Sequence, residues 1–294
     1  MRFPTTVMSV FSFFLAACPS LARPPAFYPL GDLAGGDFYS TAVDVSSDGT
    51  VAVGLGRSTS GDEAFLWTLD QGIVGLGDLS GGGFESRARG VSADGSIIVG
   101  RGDSGADSFE AMWWSHSTGM MGLGDFADGI CESAARSVSD DGTVIAGFGT
   151  TASGREAFRW TQSEGLVGLG DLSGGDYRSE AYRISPDGTT IVGHSFSTDG
   201  SESFRWTEAD GLVGLGDLDG GMCHSVAFDC SEDGQTVVGY GYSASGQEAY
   251  RWTAAEGMVG LGDLDGGTSS SQAWGISLDD SIIVGFGTTA NGEE

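Results

Sequence analysis

Short stretches in which apolar and polar residues alternate are separated along the chain by clusters of Gly, Asp and Ser. In Glu156-Ala157-Phe158-Arg159-Trp160-Thr161 a period of two places Phe158 and Trp160 on one face of a strand and Ala157 and Arg159 on the other. No 3.6-residue period rises above this alternation, so no helix is predicted beyond the N-terminal leader. Ser185-Pro186-Asp187-Gly188 precedes the apolar run Thr189-Thr190-Ile191-Val192-Gly193. Asp-Gly between two such runs predicts a two-residue hairpin, because both turn residues tolerate positive φ. Around this hairpin the pattern predicts four strands at 180–185, 189–194, 202–207 and 212–215.

The same pattern returns. Leu-Gly-Asp recurs with its aspartate at Asp32, Asp78, Asp125, Asp171, Asp217 and Asp263, at intervals of 46, 47, 46, 46 and 46 residues. Glu63 of Glu-Ala-Phe-Leu-Trp-Thr has counterparts at Glu110, Glu156, Glu202 and Glu248, and Glu294 falls on the next beat. The hairpin dipeptide appears at Asp48-Gly49, Asp94-Gly95, Asp141-Gly142, Asp187-Gly188 and Asp233-Gly234, and reads Asp279-Asp280 in the last copy. Four short strands in a unit of 46 residues are the signature of a propeller blade. The predicted fold is therefore all-β: a β-propeller of about six four-stranded blades with the last incomplete, the alternative being another β-repeat or solenoid. Each Phe-Trp pair is expected to point between neighbouring units, supplying apolar area that one unit cannot bury alone. Residues 26–33 read as an isolated fourth strand, and the sixth copy stops after its hairpin. The expectation is an imperfectly closed ring or a truncated version of a longer protein.

Composition narrows the function. The chain of 294 residues carries 13 basic and 41 acidic side chains, a formal charge of 13 − 41 = −28, and all of its basic residues are arginine. Nucleic-acid binding relies on cations that displace counterions, so nucleic-acid partners are excluded, and an anionic bilayer surface would repel such a chain. Screening would relieve the self-repulsion in salty water. Met1-Arg2, an apolar run over 7–17 and Ser20-Leu21-Ala22 form a signal peptide over 1–22, with a single β-repeat domain over 23–294. The alternative is a lipoprotein signal ending before Cys18, since Leu15-Ala16-Ala17-Cys18 has the form of a lipobox that would anchor the chain by a lipid at Cys18. The apolar run is too short to cross a bilayer, which takes roughly 20 residues, and no transmembrane segment is predicted. The location expected is secreted or cell-surface, or periplasmic or outer-membrane in the lipoprotein case. Cys131, Cys223 and Cys230 are an odd number for an exported chain and exclude a disulfide framework. Cys223 and Cys230 fall on one predicted strand, too far apart to bridge.

Taken together and in order, apolar-Gly-Asp-Leu, Gly-Gly, Ser-x-Ala, Ser-x-Asp-Gly, apolar-Val-Gly and aromatic-x-Trp resemble the bacterial extracellular HAF-repeat proteins. The family's His-Ala-Phe triplet here reads Glu63-Ala64-Phe65, Glu156-Ala157-Phe158 or Glu248-Ala249-Tyr250. The resemblance covers residues 26–294 and implies an exported protein with propeller-like repeats and no established activity. It brings no catalytic residues. The sorting helix and basic tail of some members have no counterpart at Asn291-Gly292-Glu293-Glu294.

No catalytic, cofactor or metal residues are assigned. Asp103-Ser104-Gly105-Ala106-Asp107 falls short of a calcium loop. Ser-x-Asp-Gly differs from the sialidase Asp-box, in which a further residue separates Asp from Gly, and no pair of carboxylates is singled out for glycoside chemistry. The repeated carboxylates are expected to serve every unit alike, the Leu-Gly-Asp aspartate by accepting backbone amides in its own turn. Sites are sought where copies depart from the pattern: Trp113, Trp114 and His116 as contacts for an extracellular glycan or protein, then His194, Met222-Cys223-His224 and Trp274. Cys230 stands where other copies have Val138 or Ile184 and reads as core. The function expected is an exported, non-catalytic binding or structural module. An acidic glycan-active enzyme and a truncated product without independent function are the alternatives.

Overall fold

A computed structural model describes residues 28–105, 108–127, 129–130, 132–267 and 269–293. The predicted signal segment 1–22 with Cys18, as well as Ala106, Asp107, Cys131 and Glu294, lies outside the described residues. Everything described is strand, turn or loop. Five successive units are four-stranded antiparallel meanders, each ordered as in the chain. Their first strands are Gly35–Val45, Ser86–Val91, Ser133–Val138, Gly174–Ile184 and Gly220–Cys230. In the fourth unit Thr190–Ser197, Gly200–Thr207 and Gly211–Gly214 complete the meander. The sixth unit keeps a first strand, Gln272–Ile276, a second, Ile283–Phe286, and a short hairpin over 288–293.

Among the described residues, four of the five neighbouring pairs of units are joined edge-on by one parallel bridge from a third strand to the next first strand or the residues that lead into it. These bridges are Asp62 to Glu85, Arg155 to Arg178, Ser201 to His224 and Gln247 to Ser270. Their broad faces meet in equivalent apolar cores. Val144, Ala146, Ala157 and Leu169 of unit 3 pack on Ala181, Ile184, Ile191, Phe204 and Trp206 of unit 4. Val99, Ala111 and Leu123 of unit 2 meet Ala135, Val138, Ile145, Phe158 and Trp160 of unit 3 in the same way. The Phe-Trp face of one unit thus covers the Ala face of the preceding one, as the alternation predicted. Each fully buried Phe contributes roughly 1.5–3 kcal/mol. Cys230 lies in the core between units 4 and 5, where burial pushes its thiol up, and Cys223 is exposed on the same strand; both are free.

The repeated polar residues close each unit onto the next. Ser179 Oγ accepts the Ala157 N–H at 2.9 Å and donates to the Gly170 carbonyl at 2.6 Å. Ser86, Ser133, Ser225 and Ser271 do the same for residues 64 and 77, 111 and 124, 203 and 216, and 249 and 262. The N–H of the same loop glycine, Gly77, Gly124, Gly170, Gly216 or Gly262, donates to Glu63, Glu110, Glu156, Glu202 or Glu248 at 2.9–3.0 Å. The Leu-Gly-Asp aspartate accepts backbone amides beyond its own turn. Asp78 holds Glu85 N–H at 2.8 Å, just ahead of the following first strand, and Asp103 N–H at 3.1 Å, on the following second strand.

Three expectations are corrected. Residues 28–33 form no strand, because among the described residues no strand edge pairs with them. The first strands of units 4 and 5 begin six residues before the alternation starts. There Gly174 and Gly220 pair across a bulge with Ser197 and Ser243, and a Gly-Gly stretch carries no apolar signal. The Asp-Gly turn is not a two-residue hairpin with positive φ at both positions. Gly49 N–H donates to the Ser46 carbonyl at 2.8 Å, and Gly49 alone is left-handed, at φ 70°. Asp48 instead uses its carboxylate to hold Ser46 Oγ and Thr50 N–H, so side-chain bonds rather than a second left-handed residue fix the turn.

Candidate functional site

With the repeated residues absorbed in architecture, the places where units differ fall on the first strands. Two positions before the first-strand Val, Ile or Cys stand Val43, Arg89, Arg136, Tyr182, Phe228 and Trp274. Immediately before it stand Asp44, Gly90, Ser137, Arg183, Asp229 and Gly275. A bulge in each first strand leaves one N–H without a ladder partner, and three of these second residues accept it from the next unit. Asp44 takes Val91 N–H, Ser137 takes Ile184 N–H and Asp229 takes Ile276 N–H, at 3.0, 3.2 and 3.0 Å. Arg183 pairs with Asp229 at 3.2 Å and also feels Asp44 of unit 1. Arg89 of unit 2 feels Tyr182 of unit 4. The first strands of consecutive units lie against one another, so these positions line one continuous surface on the first-strand, inner side of the row of units. Burial raises the carboxyls of Asp44 and Asp229 against the opposing pull of Arg183.

On this inner surface the arginines gather. Glu180, 3% exposed, receives Arg155 at 2.7 Å, Arg178 at 3.1 Å and Arg136 at 3.3 Å. Burial alone would raise its carboxyl, but Arg155 and Arg178 overrule it and hold it below the usual range. Arg155 also pairs with Glu132 at 2.9 Å, and Arg87 with Glu85 at 2.9 Å and Asp62 at 3.6 Å. Arg136 lies over the Tyr182 ring at 4.9 Å, and Arg101 over Phe109 at 4.0 Å. Arg89 makes no ion pair among the described residues. Burial, then the charges of Arg136, Arg101 and Arg87, pull its pKa down to about 10. The Nε atoms of Arg87, Arg89, Arg101 and Arg136 are buried and have no hydrogen-bond partner. Six arginines (87, 89, 101, 136, 155 and 178) against four acids (62, 85, 132 and 180) leave 6 − 4 = +2 here, in a chain of net charge −28.

Beside the arginines the surface turns aromatic. Tyr182 stacks on His194 at 5.6 Å and meets Phe228 edge-on at 6.0 Å, and Phe228 packs on Tyr240 at 5.6 Å. His194 is buried with Nδ1 unpartnered, and desolvation pulls its pKa down to about 4, leaving a neutral ring at pH 7. His224 Nε2 lies 3.2 Å from the Tyr240 hydroxyl. Trp274 is 57% exposed.

Of the residues singled out from the sequence, Trp114 and His116 meet, but the set does not form one cluster. Trp113 lines a cleft of ≈ 660 Å³ between units 2 and 3, its ring centroid 6.4 Å from that of Trp160. Trp114 is buried in the core between units 1 and 2, at the Trp position of the aromatic strand. His116 is exposed and meets Trp114 edge-on at 4.7 Å. Met222 and Cys223 are exposed, while Cys230 points into the core. Among the described residues no three His, Cys, Asp or Glu side chains gather as a metal site.

No protein-family model and no curated protein matches the chain. Solved structures do. TolB from Acinetobacter baumannii superposes with a TM-score of 0.54 at 14% identity over 83% of this chain, which spans 59% of that protein. The β-propeller domain of the trilobed protease from Pyrococcus furiosus gives 0.51 at 13% identity, covering 86% of this chain and 93% of that one. The fold is propeller-like. An oligogalacturonate lyase is similar to the same degree, with a TM-score of 0.55 at 13% identity over 85% of this chain and 70% of the lyase. At these identities the likeness is one of fold.

Proposed function

We propose that the chain is an exported, non-catalytic binding module of HAF-repeat type, its units arranged as propeller blades around the inner surface described above, with an extracellular ligand held on that surface. The observation that carries this reading is the division of labour among residues. The Ser, Glu, Asp and Gly that recur in every unit are spent on hydrogen bonds within and between units. The residues that vary, Arg89, Arg136, Tyr182 and Phe228 among them, converge on one face. A scaffold that holds variable side chains at fixed positions is how repeat folds present binding surfaces.

The test is to purify the processed chain from culture medium and from cell envelopes, read its N-terminus, and screen it on a glycan array with chromatography of each bound saccharide. The expected result is an N-terminus at Arg23 and binding with the saccharide returned intact. Cleavage of a bound saccharide, abolished by removing one pair of carboxylates, would overturn the non-catalytic reading. A lipidated Cys18 would replace release by membrane anchoring.

A further inference from the structure

From the inner-strand arginines and the aromatic rings beside them, we infer that this surface binds an acidic saccharide, a chain of sugars that carry carboxylates. The inference rests on the binding-module reading and names its ligand class. The first ground is an unanswered charge. Arg89 makes no ion pair among the described residues and its buried Nε has no hydrogen-bond partner, although the chain has 41 acidic residues. Half-buried cations are costly unless paired, and a local excess of positive charge in a strongly negative molecule is retained where an anion completes it. The second ground is the set of buried, unpartnered Nε–H groups of Arg87, Arg89, Arg101 and Arg136. A guanidinium presents its donors as a planar fork matched to a carboxylate, so several forks on neighbouring units fit a ligand that repeats its carboxylates.

The third ground selects the saccharide. The arc of inner positions continues from Arg89 and Arg136 to Tyr182, Phe228 and Trp274, from guanidinium to ring. A uronic-acid residue has the same two characters, a carboxylate at one corner and a flat C–H face suited to an aromatic ring. An inorganic anion uses only the first, and an acidic peptide offers no flat apolar face per charge. The remaining acceptors, Glu132 and Glu85, lie at the edge of the cluster, each already paired to arginine.

Isothermal titration of the purified chain with a galacturonate hexamer tests the inference, alongside its methyl ester, hexaglutamate and potassium sulfate. The hexamer is expected to bind, with affinity falling as salt rises, and the ester and hexaglutamate to bind at least tenfold more weakly. Sulfate is expected to compete without reproducing the affinity. Arg89→Met should weaken hexamer binding at least tenfold while leaving thermal stability unchanged or raised, because it removes an unpaired charge. The control Arg251→Met lies outside the cluster, where Arg251 pairs with Glu256 at 2.7 Å, and should bind as wild type. Full affinity in Arg89→Met, or equal affinity for the ester or for hexaglutamate, would overturn the inference. So would a wild-type chain that ignores the hexamer. If that chain still holds a neutral glycan intact, the binding-module reading survives without the ligand class, whereas turnover of the hexamer sinks that reading instead.

Discussion

Removing the hydroxyl of Ser179 tests the device that joins one unit to the next. Ser179 is fully buried, and its Oγ is the partner of both the Ala157 N–H of the preceding unit, at 2.9 Å, and the Gly170 carbonyl, at 2.6 Å. Alanine fits the space but leaves a buried N–H with no acceptor, which costs about 1–3 kcal/mol, and takes one bond from a carbonyl, worth about 0.5–1.5 kcal/mol. Part is returned because the hydroxyl no longer needs desolvating, so the expected loss is about 2–3 kcal/mol. For a domain of this size that corresponds to a melting point lower by roughly 4–12 °C. Ser40 supplies the control. It occupies the same place in unit 1, and among the described residues its one bond is to the exposed Gly31 carbonyl at 2.8 Å, with no N–H of another unit donating to it. Ser40→Ala should cost under about 0.5 kcal/mol, the range of surface substitutions. Urea unfolding followed by tryptophan fluorescence measures both. Equal losses for the two variants, or a Ser179→Ala protein as stable as wild type, would refute the assignment of the hydroxyl as a joint between units.

Three further outcomes are expected. A Cβ on Gly239 would sit 1.9 Å from the Val226 carbonyl oxygen, while one on Gly241 would meet the side chains of Leu218 at 3.5 Å and Ser225 at 3.6 Å, both ordinary contacts. Gly239→Ala should therefore lose about 2 kcal/mol or more and Gly241→Ala almost nothing, as read from urea midpoints. His194 is held neutral with a pKa near 4, below the ordinary 6.5, so its contribution is complete above pH 6.5 and is lost as pH falls toward 4. His194→Phe, which copies Phe148 of unit 3, should flatten the decline in melting temperature between pH 6.5 and 4.5. The turn aspartates Asp94, Asp141 and Asp279 are held below 3.8 first by a neighbouring hydroxyl, Asp279 at about 2. Their stabilisation is present above pH 3.8 and fades as acid protonates them. Circular dichroism of Asp141→Ala should show a shallower loss of signal between pH 4 and 2 than wild type.

Much of the architecture was legible because strands announce themselves locally. In unit 4 the four predicted strands coincide with those observed, apart from the early start at Gly174. The assignment of Phe158 and Trp160 to the face between units follows from a period of two and needs no tertiary knowledge. Ser-x-Ala stood out as a recurring phrase, yet the task of its serine was hidden, since Ala157 and Ser179 are 22 residues apart and meet only when two units pack. The arginine surface was hidden for the same reason: Arg89, Arg136 and Glu180 belong to three different copies. One signal was within reach. In an acidic chain without lysine, seven of 13 arginines lie from residue 87 to residue 178, and all of these but Arg159 converge, a skew that marks the units where charge is being concentrated. Trp114 looked like a departure from the pattern only because a second Trp precedes it; Trp113 is the substituted residue.

The joint formed by each serine has a direction. A unit's own loop is fastened by a hydroxyl that arrives with the following unit, as Gly170 waits for Ser179 and Ala157 waits for the same atom. For a chain that emerges N-terminus first, the newest unit is therefore always the one left unfastened, and each arrival secures its predecessor rather than itself. Assembly of this kind advances like a row of buttons done up from one end, and an interruption leaves one loose unit at the break instead of undoing those already made.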